Sequence, residues 1–122
     1  MKRSARLAPL SRDHHVALWH ALRLRRATGD DLTDVVGAFL GYLQGPGLRH
    51  FAEEEQLAPE VPDTAMAARM LDEHDEILRR AERLGEDPEV ADARALGELL
   101  AGHVRFEERE LFPLLETALS RA

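Results

Sequence analysis

The sequence predicts an all-α fold, an up-down-up-down four-helix bundle. Three observations predict it. Apolar residues recur at three- and four-residue steps along nearly all of the 122 residues, which is the period of an amphipathic helix and not the alternation of a strand. Eight glycines and six prolines are few enough to leave long uninterrupted segments. Four such segments emerge, and the connections between them are short, which makes consecutive helices antiparallel neighbours.

The first helix is expected from about Ser11, as N-cap, to about Thr28, with Leu10, His14, Leu18, Leu22 and Arg25 on one stripe and Gly29 as the stop. Arg23, Arg25 and Arg26 form a basic end that complements its dipole. The second starts near Asp30 or Asp31, carries Val36, Phe39, Leu40, Leu43, His50, Glu54 and Leu57, and ends before Pro59 and Pro62. Gly45-Pro46-Gly47 interrupts it, and because proline lacks a donor and collides with the carbonyl four residues back, a kink or local bulge is expected there.

Asp63 or Thr64 caps a third helix reaching Leu84 and Gly85, whose apolar face is Ala67, Met70, Leu71, His74, Ile77, Leu78, Ala81 and Leu84. The fourth begins near Asp87-Pro88, a cap followed by proline at the first helical position. It runs through Leu96, Leu100, His103, Glu107 and Leu111, with Pro113 expected to bend or end it.

The length suits one domain over residues 1–122 with its core at about 10–115. A formal charge of −7 argues against a nucleic-acid surface, which needs clustered Lys and Arg, and favours a small uncharged or cationic ligand. There is no cysteine, so disulfides and thiolate metal sites are excluded and His and carboxylate remain as the strong metal ligands. The basic N-terminus is followed by Ser11-Arg12-Asp13-His14-His15 with no signal-peptide or membrane-spanning stretch, so the expected location is cytoplasmic, away from membranes. Nothing in the sequence sets an oligomeric state.

His50 with Glu54, and His103 with Glu107, are each four residues apart on a helix, which places the two side chains on one face roughly 6 Å apart. Both pairs fall on the apolar stripe, so each carboxylate points into the bundle. An isolated buried carboxylate costs several kcal/mol or neutralises itself by a raised pKa, and a bound cation removes that difficulty. His74 sits in the middle of the third helix's apolar face, and His14 holds the corresponding place on the first. One such histidine alone is commonly a core residue, and one His-x-x-x-Glu commonly a surface pair. Four inward histidines and two inward glutamates spread over four helices match the needs of a two-iron carboxylate site.

A weak internal repeat supports this. Asp13-His14 and Glu73-His74 are each followed by a helix containing His-x-x-x-Glu-Glu. The alignment favours His14 over its neighbour His15 as the ligand. His20 is on a different face and is expected to be solvated. Glu53, Glu55 and Glu108 are expected to be solvated helix charges, with one of them able to move in as a further ligand.

The pattern of Asp13-His14, His50-Phe51-Ala52-Glu53-Glu54-Glu55, Glu73-His74 and His103-Val104-Arg105-Phe106-Glu107-Glu108 resembles the hemerythrin-like (HHE) cation-binding family, over about Leu10 to Leu115. The resemblance implies two non-haem iron ions joined by an oxygen bridge. It makes His14, His50, His74 and His103 terminal ligands and Glu54 and Glu107 bridges. Zinc or manganese also suits these ligand types. Oxygen-carrying members place a further histidine four residues after the one on the third helix, where this chain has Leu78. If each iron takes about six ligands, roughly two positions are left open or water-filled. The expected function is therefore binding or sensing of oxygen, nitric oxide or peroxide. The alternatives are a peroxide- or superoxide-consuming enzyme on the same scaffold, and a metal-free helical interaction module.

Overall fold

The computed structural model describes residues 3–121, and among these the chain is helical without strands. Six α-helices build four rods. The first is α1 (Ala8–Arg25). The second joins α2 (Leu32–Tyr42) to α3 (Leu48–Leu57) through a π-helical segment, Leu43–Gly47, and closes with a 3₁₀ turn, Ala58–Glu60. The third is α4 (Thr64–Glu86). The fourth joins α5 (Val90–Phe106) to α6 (Phe112–Ser120) through a second π segment, Glu107–Leu111. The rods pack as the bundle the periodicity predicts, with α1 against α5 and α2, and α4 against α5 and α2.

Three helix boundaries differ from expectation. α1 starts before Ser11 because Pro9 occupies its first turn, where a missing N–H is harmless. Ser11 lies inside the helix and its hydroxyl donates to Glu108 Oε2 at 2.8 Å. α1 ends at Arg25, ahead of Gly29, and Asp31 accepts the Thr28 N–H at 2.7 Å in the loop beyond it. Asp87 and Pro88 precede α5 instead of starting it, since the Asp87 N–H bonds to the Arg83 carbonyl and finishes α4. Asp63 caps α4 as expected, accepting the Met66 N–H at 3.1 Å.

The inward face of α1 also differs. Leu10, His14, Ala17, Ala21 and Leu24 are buried, whereas Leu18 and Leu22 face outward. Small residues decide this. A Cβ placed on Gly97 of α5 would lie 2.7 Å from both the Ala21 carbonyl oxygen and the Arg25 backbone nitrogen. Such an approach is possible only where alanine and glycine face each other. Arg25 leaves the stripe and pairs with Glu98 at 2.7 Å. The apolar face of α4 is narrower than expected: Met70, Ile77, Ala81 and Leu84 are buried, while Ala67 and Leu78 are half-buried and Leu71 is exposed.

Both π segments sit beside prolines. In the first, the Leu48 N–H reaches the Leu43 carbonyl five residues back, and Pro46 lies within the widened turn. In the second, the Phe112 N–H reaches the Glu107 carbonyl, and Pro113 comes next in the first turn of α6, so the rod continues past the proline. One extra residue in a helix rotates every downstream side chain by about 100° around the axis. In the fourth rod this correction brings Phe112 and Leu115 onto the face that carries Leu100 and His103, and these four are buried together with Leu111.

The buried apolar residues form two clusters. One contains Leu24, Val36, Phe39, Ile77, Leu84, Leu96 and Leu100. The other contains Leu7, Leu10, Leu57, Met70, Phe106, Leu111, Phe112 and Leu115. Along each rod the predicted ligands fall between a contributor to one cluster and a contributor to the other. A layer of buried polar side chains therefore crosses the middle of the bundle.

Candidate metal centre

All six predicted ligands are buried and meet in that layer. His14 comes from α1, His50 and Glu54 from α3, His74 from α4, His103 from α5, and Glu107 from the start of the second π segment. Each histidine turns Nε2 inward. His14 Nε2 lies 2.9 Å from Glu107 Oε1 and 3.5 Å from Glu54 Oε2. His74 Nε2 lies 2.9 Å from Glu54 Oε1 and 3.7 Å from Glu107 Oε2. His50 Nε2 approaches Glu54 Oε2 at 2.9 Å, and His103 Nε2 approaches Glu107 Oε2 at 3.2 Å. Ligand atoms fall into two groups, His14-His50-Glu54-Glu107 and Glu54-His74-His103-Glu107, each with all its atoms within 4.8 Å of one another. The two groups share both carboxylates.

Of the neighbouring histidines, His15 is exposed, so the geometry favours His14 as the internal repeat does. His20 is not solvated: it is buried and stacks on Tyr42 with ring centroids 4.6 Å apart. Burial, reinforced by Arg23, lowers its pKa. Leu78 lines an apolar groove with Leu40, Leu43 and Leu48.

The outward nitrogens carry a second set of carboxylates that sequence reasoning largely misses. His14 Nδ1 meets Glu108 at 2.6 Å, His50 Nδ1 meets Asp13 at 3.1 Å, His74 Nδ1 meets Glu55 at 2.8 Å and His103 Nδ1 meets Glu73 at 2.8 Å. Glu55 and Glu108 are thus engaged with imidazoles instead of solvated, while Glu53 is exposed at a surface groove. The repeat contains the signal. Asp13 and Glu73 each precede a histidine and reach the histidine of the next rod, while Glu55 and Glu108 each come directly after an interior glutamate and reach the other half of the chain.

Charge is unevenly distributed inside the layer. Burial, with Glu107 alongside, pushes the Glu54 carboxyl well above the usual carboxylate range. Burial acts the same way on Glu107, but His103, His14 and His74 outweigh it and hold that carboxyl well below the range. Burial disfavours charge on His103 too, yet Glu107 and Glu73 lift it to about 9. Burial and the nearby His14 lower His50 against the pull of Asp13. Two adjacent carboxylates ionise together only with enough positive charge between them.

The donor set fits a cation. Among the described residues, the buried side-chain atoms without a well-directed hydrogen bond are His50 Nε2, Glu54 Oε2, His103 Nε2 and Glu107 Oε2, which approach one another only as the misaligned pairs His50–Glu54 and His103–Glu107. All four belong to this layer. Buried polar atoms are rarely left unpaired, and an ion is among the standard reasons when they are. Imidazole nitrogen and carboxylate oxygen together suit iron, zinc or manganese. Beside the layer is a cavity of about 10 Å³, lined by Phe39, Tyr42, Leu43, Leu100 and Val104 together with His50, His103 and Glu107. That is close to the smallest space that holds one water-sized molecule.

Among the described residues no helix is long and apolar enough to cross a membrane. A family model described as the hemerythrin HHE cation binding domain matches residues 7–115. No match to the chain was found among curated proteins or among solved structures.

Proposed function

The chain belongs to the hemerythrin HHE cation-binding domain family, and from that premise we propose that it is a non-haem di-iron protein that binds or senses oxygen, nitric oxide or peroxide. The observation that carries this reading is the pair of four-residue groups, His14-His50-Glu54-Glu107 and Glu54-His74-His103-Glu107, which have both glutamates in common and leave His50 Nε2, Glu54 Oε2, His103 Nε2 and Glu107 Oε2 without a well-directed hydrogen bond. His14 and His50 would hold one ion, His74 and His103 the other, with Glu54 and Glu107 shared between them. A bound pair of ferrous ions supplies electrons and open coordination to a small oxidant or diatomic ligand.

The surrounding residues suit that use. The cavity of about 10 Å³ is near the minimum for one water-sized molecule and has no room for an organic substrate. Its walls of Phe39, Leu43, Leu100 and Val104 keep bulk water from the inward nitrogens. Tyr42 also lines it, and burial together with Asp13 and Glu54 pushes that phenol up to about 12, so it stays neutral. Leu78 supplies no fifth imidazole, which leaves coordination for an exogenous ligand and favours a reactive or sensing centre over a reversible carrier.

Metal analysis after purification, with the visible spectrum recorded before and after exposure of the ferrous-loaded protein to oxygen, tests the proposal. The expected result is roughly two iron ions per chain and new charge-transfer absorption on oxidation. A chain that takes up no iron and develops no such absorption overturns it. Zinc or manganese at the same stoichiometry would retain the centre and replace its redox role.

A further inference from the structure

We propose that Asp13, Glu55, Glu73 and Glu108 are positioning residues for the four histidines, and that Glu73 and Glu108 are the pair that governs how tightly metal is held. The inference rests on the metal-binding reading above and extends it to residues outside the ligand set. An imidazole whose Nδ1–H is taken by an outer acceptor presents its Nε2 lone pair inward, in a fixed ring orientation. Each of the four histidines has such an acceptor.

The acceptors are not equivalent. Glu108, 31% exposed, also receives the Ser11 hydroxyl at 2.8 Å and Arg3 Nη2 at 3.2 Å, while it holds His14 at 2.6 Å. Glu73, 20% exposed, also receives Arg69 Nε at 3.0 Å, while it holds His103 at 2.8 Å. Asp13 and Glu55 are 52% and 42% exposed and have no second hydrogen-bond donor among the described residues. A carboxylate braced from its far side has little freedom left to lose when it fixes an imidazole, whereas an unbraced, solvent-facing one is screened and mobile.

The braced acceptors are distributed one to each ligand group. His14 is braced and shares its group with His50; His103 is braced and shares its group with His74. Each ion position therefore has one imidazole held by a backed carboxylate and one held more loosely. His74 has a substitute restraint, because Phe51 stacks on its ring at 3.9 Å, so Glu55 is expendable. His50 is flanked by the rings of His14 at 5.0 Å and Phe51 at 6.4 Å, and Asp13 faces an open surface groove where solvent screens it, so Asp13 is expendable too.

The test is the rate at which the ferrous-loaded full chain surrenders iron to a colorimetric ferrous chelator, measured anaerobically for Asp13→Asn, Glu55→Gln, Glu73→Gln, Glu108→Gln and the two alanine variants Glu73→Ala and Glu108→Ala. Thermal melts of every variant in excess chelator separate metal retention from folding. Release should accelerate about 10- to 100-fold for both alanine variants, as is usual for outer partners of metal ligands. The glutamines should be intermediate, because they keep an acceptor oxygen and lose the charge. Asp13→Asn and Glu55→Gln should release within about threefold of the parent, below the usual outer-shell effect. Release from all variants at the parent rate overturns the proposal, as does a larger effect at Asp13 or Glu55 than at Glu73 or Glu108. Acceleration that merely tracks lowered melting in chelator overturns it as well. If the parent chain takes up no iron, the di-iron reading fails with it; if the parent binds iron and the variants behave alike, only this inference fails.

Discussion

Glu54 and Glu107 lie at the same depth in the bundle, yet their neighbours drive them apart. Three imidazoles face each of them, but Glu107 has the charged His103 and stays ionised, whereas Glu54 is neutralised by burial and by Glu107 itself. Without metal, Glu54→Gln therefore replaces one neutral side chain with another of the same shape. Its melting temperature in chelator should remain near the parent's. Glu107→Gln removes the anion opposite a charged His103, and loss of one partner from a buried pair costs about 3 kcal/mol. Both variants should lose bound iron, so chelator melts and metal content together separate the two roles. Equal destabilisation by the two substitutions would contradict the asymmetry. His103 adds a pH dependence. Its folded pKa of about 9 exceeds the ordinary histidine value, so in metal-free protein its contribution to stability is complete below about 6.5 and is lost as pH rises through 9. Metal must displace that proton, so affinity should rise from pH 6 toward 9. Titration with zinc at several pH values checks this, and a flat affinity would contradict it.

At the scale of elements, the contact between α1 and α5 is the tightest constraint on the fold. Gly97→Ala would push a methyl group against the Ala21 carbonyl and the Arg25 backbone, where neither can yield without moving the helix. A destabilisation of about 1–3 kcal/mol is expected. Gly37→Ala is the control, since beyond its own helical turn no atom lies within 4 Å of the added Cβ, and it should stabilise α2 by about 0.5–1 kcal/mol. Denaturant midpoints measured in chelator would show opposite shifts. The same contact explains where the sequence could and could not be read. The four rods, the Asp63 cap and the disturbance at Pro46 were legible because periodicity, capping chemistry and proline sterics are local. The face of α1 was not, because Leu18 and Leu22 continue an apolar period that Ala17 and Ala21 also satisfy, and only the approach of Gly97 from a distant helix selects the alanines. Inward His14, His50, His74 and His103 were legible by their place on the stripes. The bracing carboxylates were not, since a glutamate beside a ligand reads as a solvent charge until the facing imidazole is in place.

For the molecule as a whole, the polar layer divides one hydrophobic interior into two clusters, and each half of the chain contributes two rods to both sides of it. Four imidazoles and two carboxylates thus stand where a continuous bundle core would place leucines. Burying such groups is favourable only if their partners are complete, and four of the inward atoms have no well-directed hydrogen bond among the described residues. A cation bound there completes them only in the folded state, because unfolding separates residues from four rods. Binding must then stabilise the fold by mass action, about 2.7 kcal/mol at a free metal concentration a hundredfold above the dissociation constant. For a chain of this length that corresponds to a rise of roughly 10 °C in melting temperature. Calorimetry of the iron-loaded and chelated protein measures it, with the metal concentration varied so that the shift tracks its logarithm. His74→Ala should shrink the shift, because that residue meets both glutamates. A melting temperature indifferent to chelation would mean that the four-rod layer is held by hydrogen bonds alone, and the bundle would then be a helical scaffold with packed histidines.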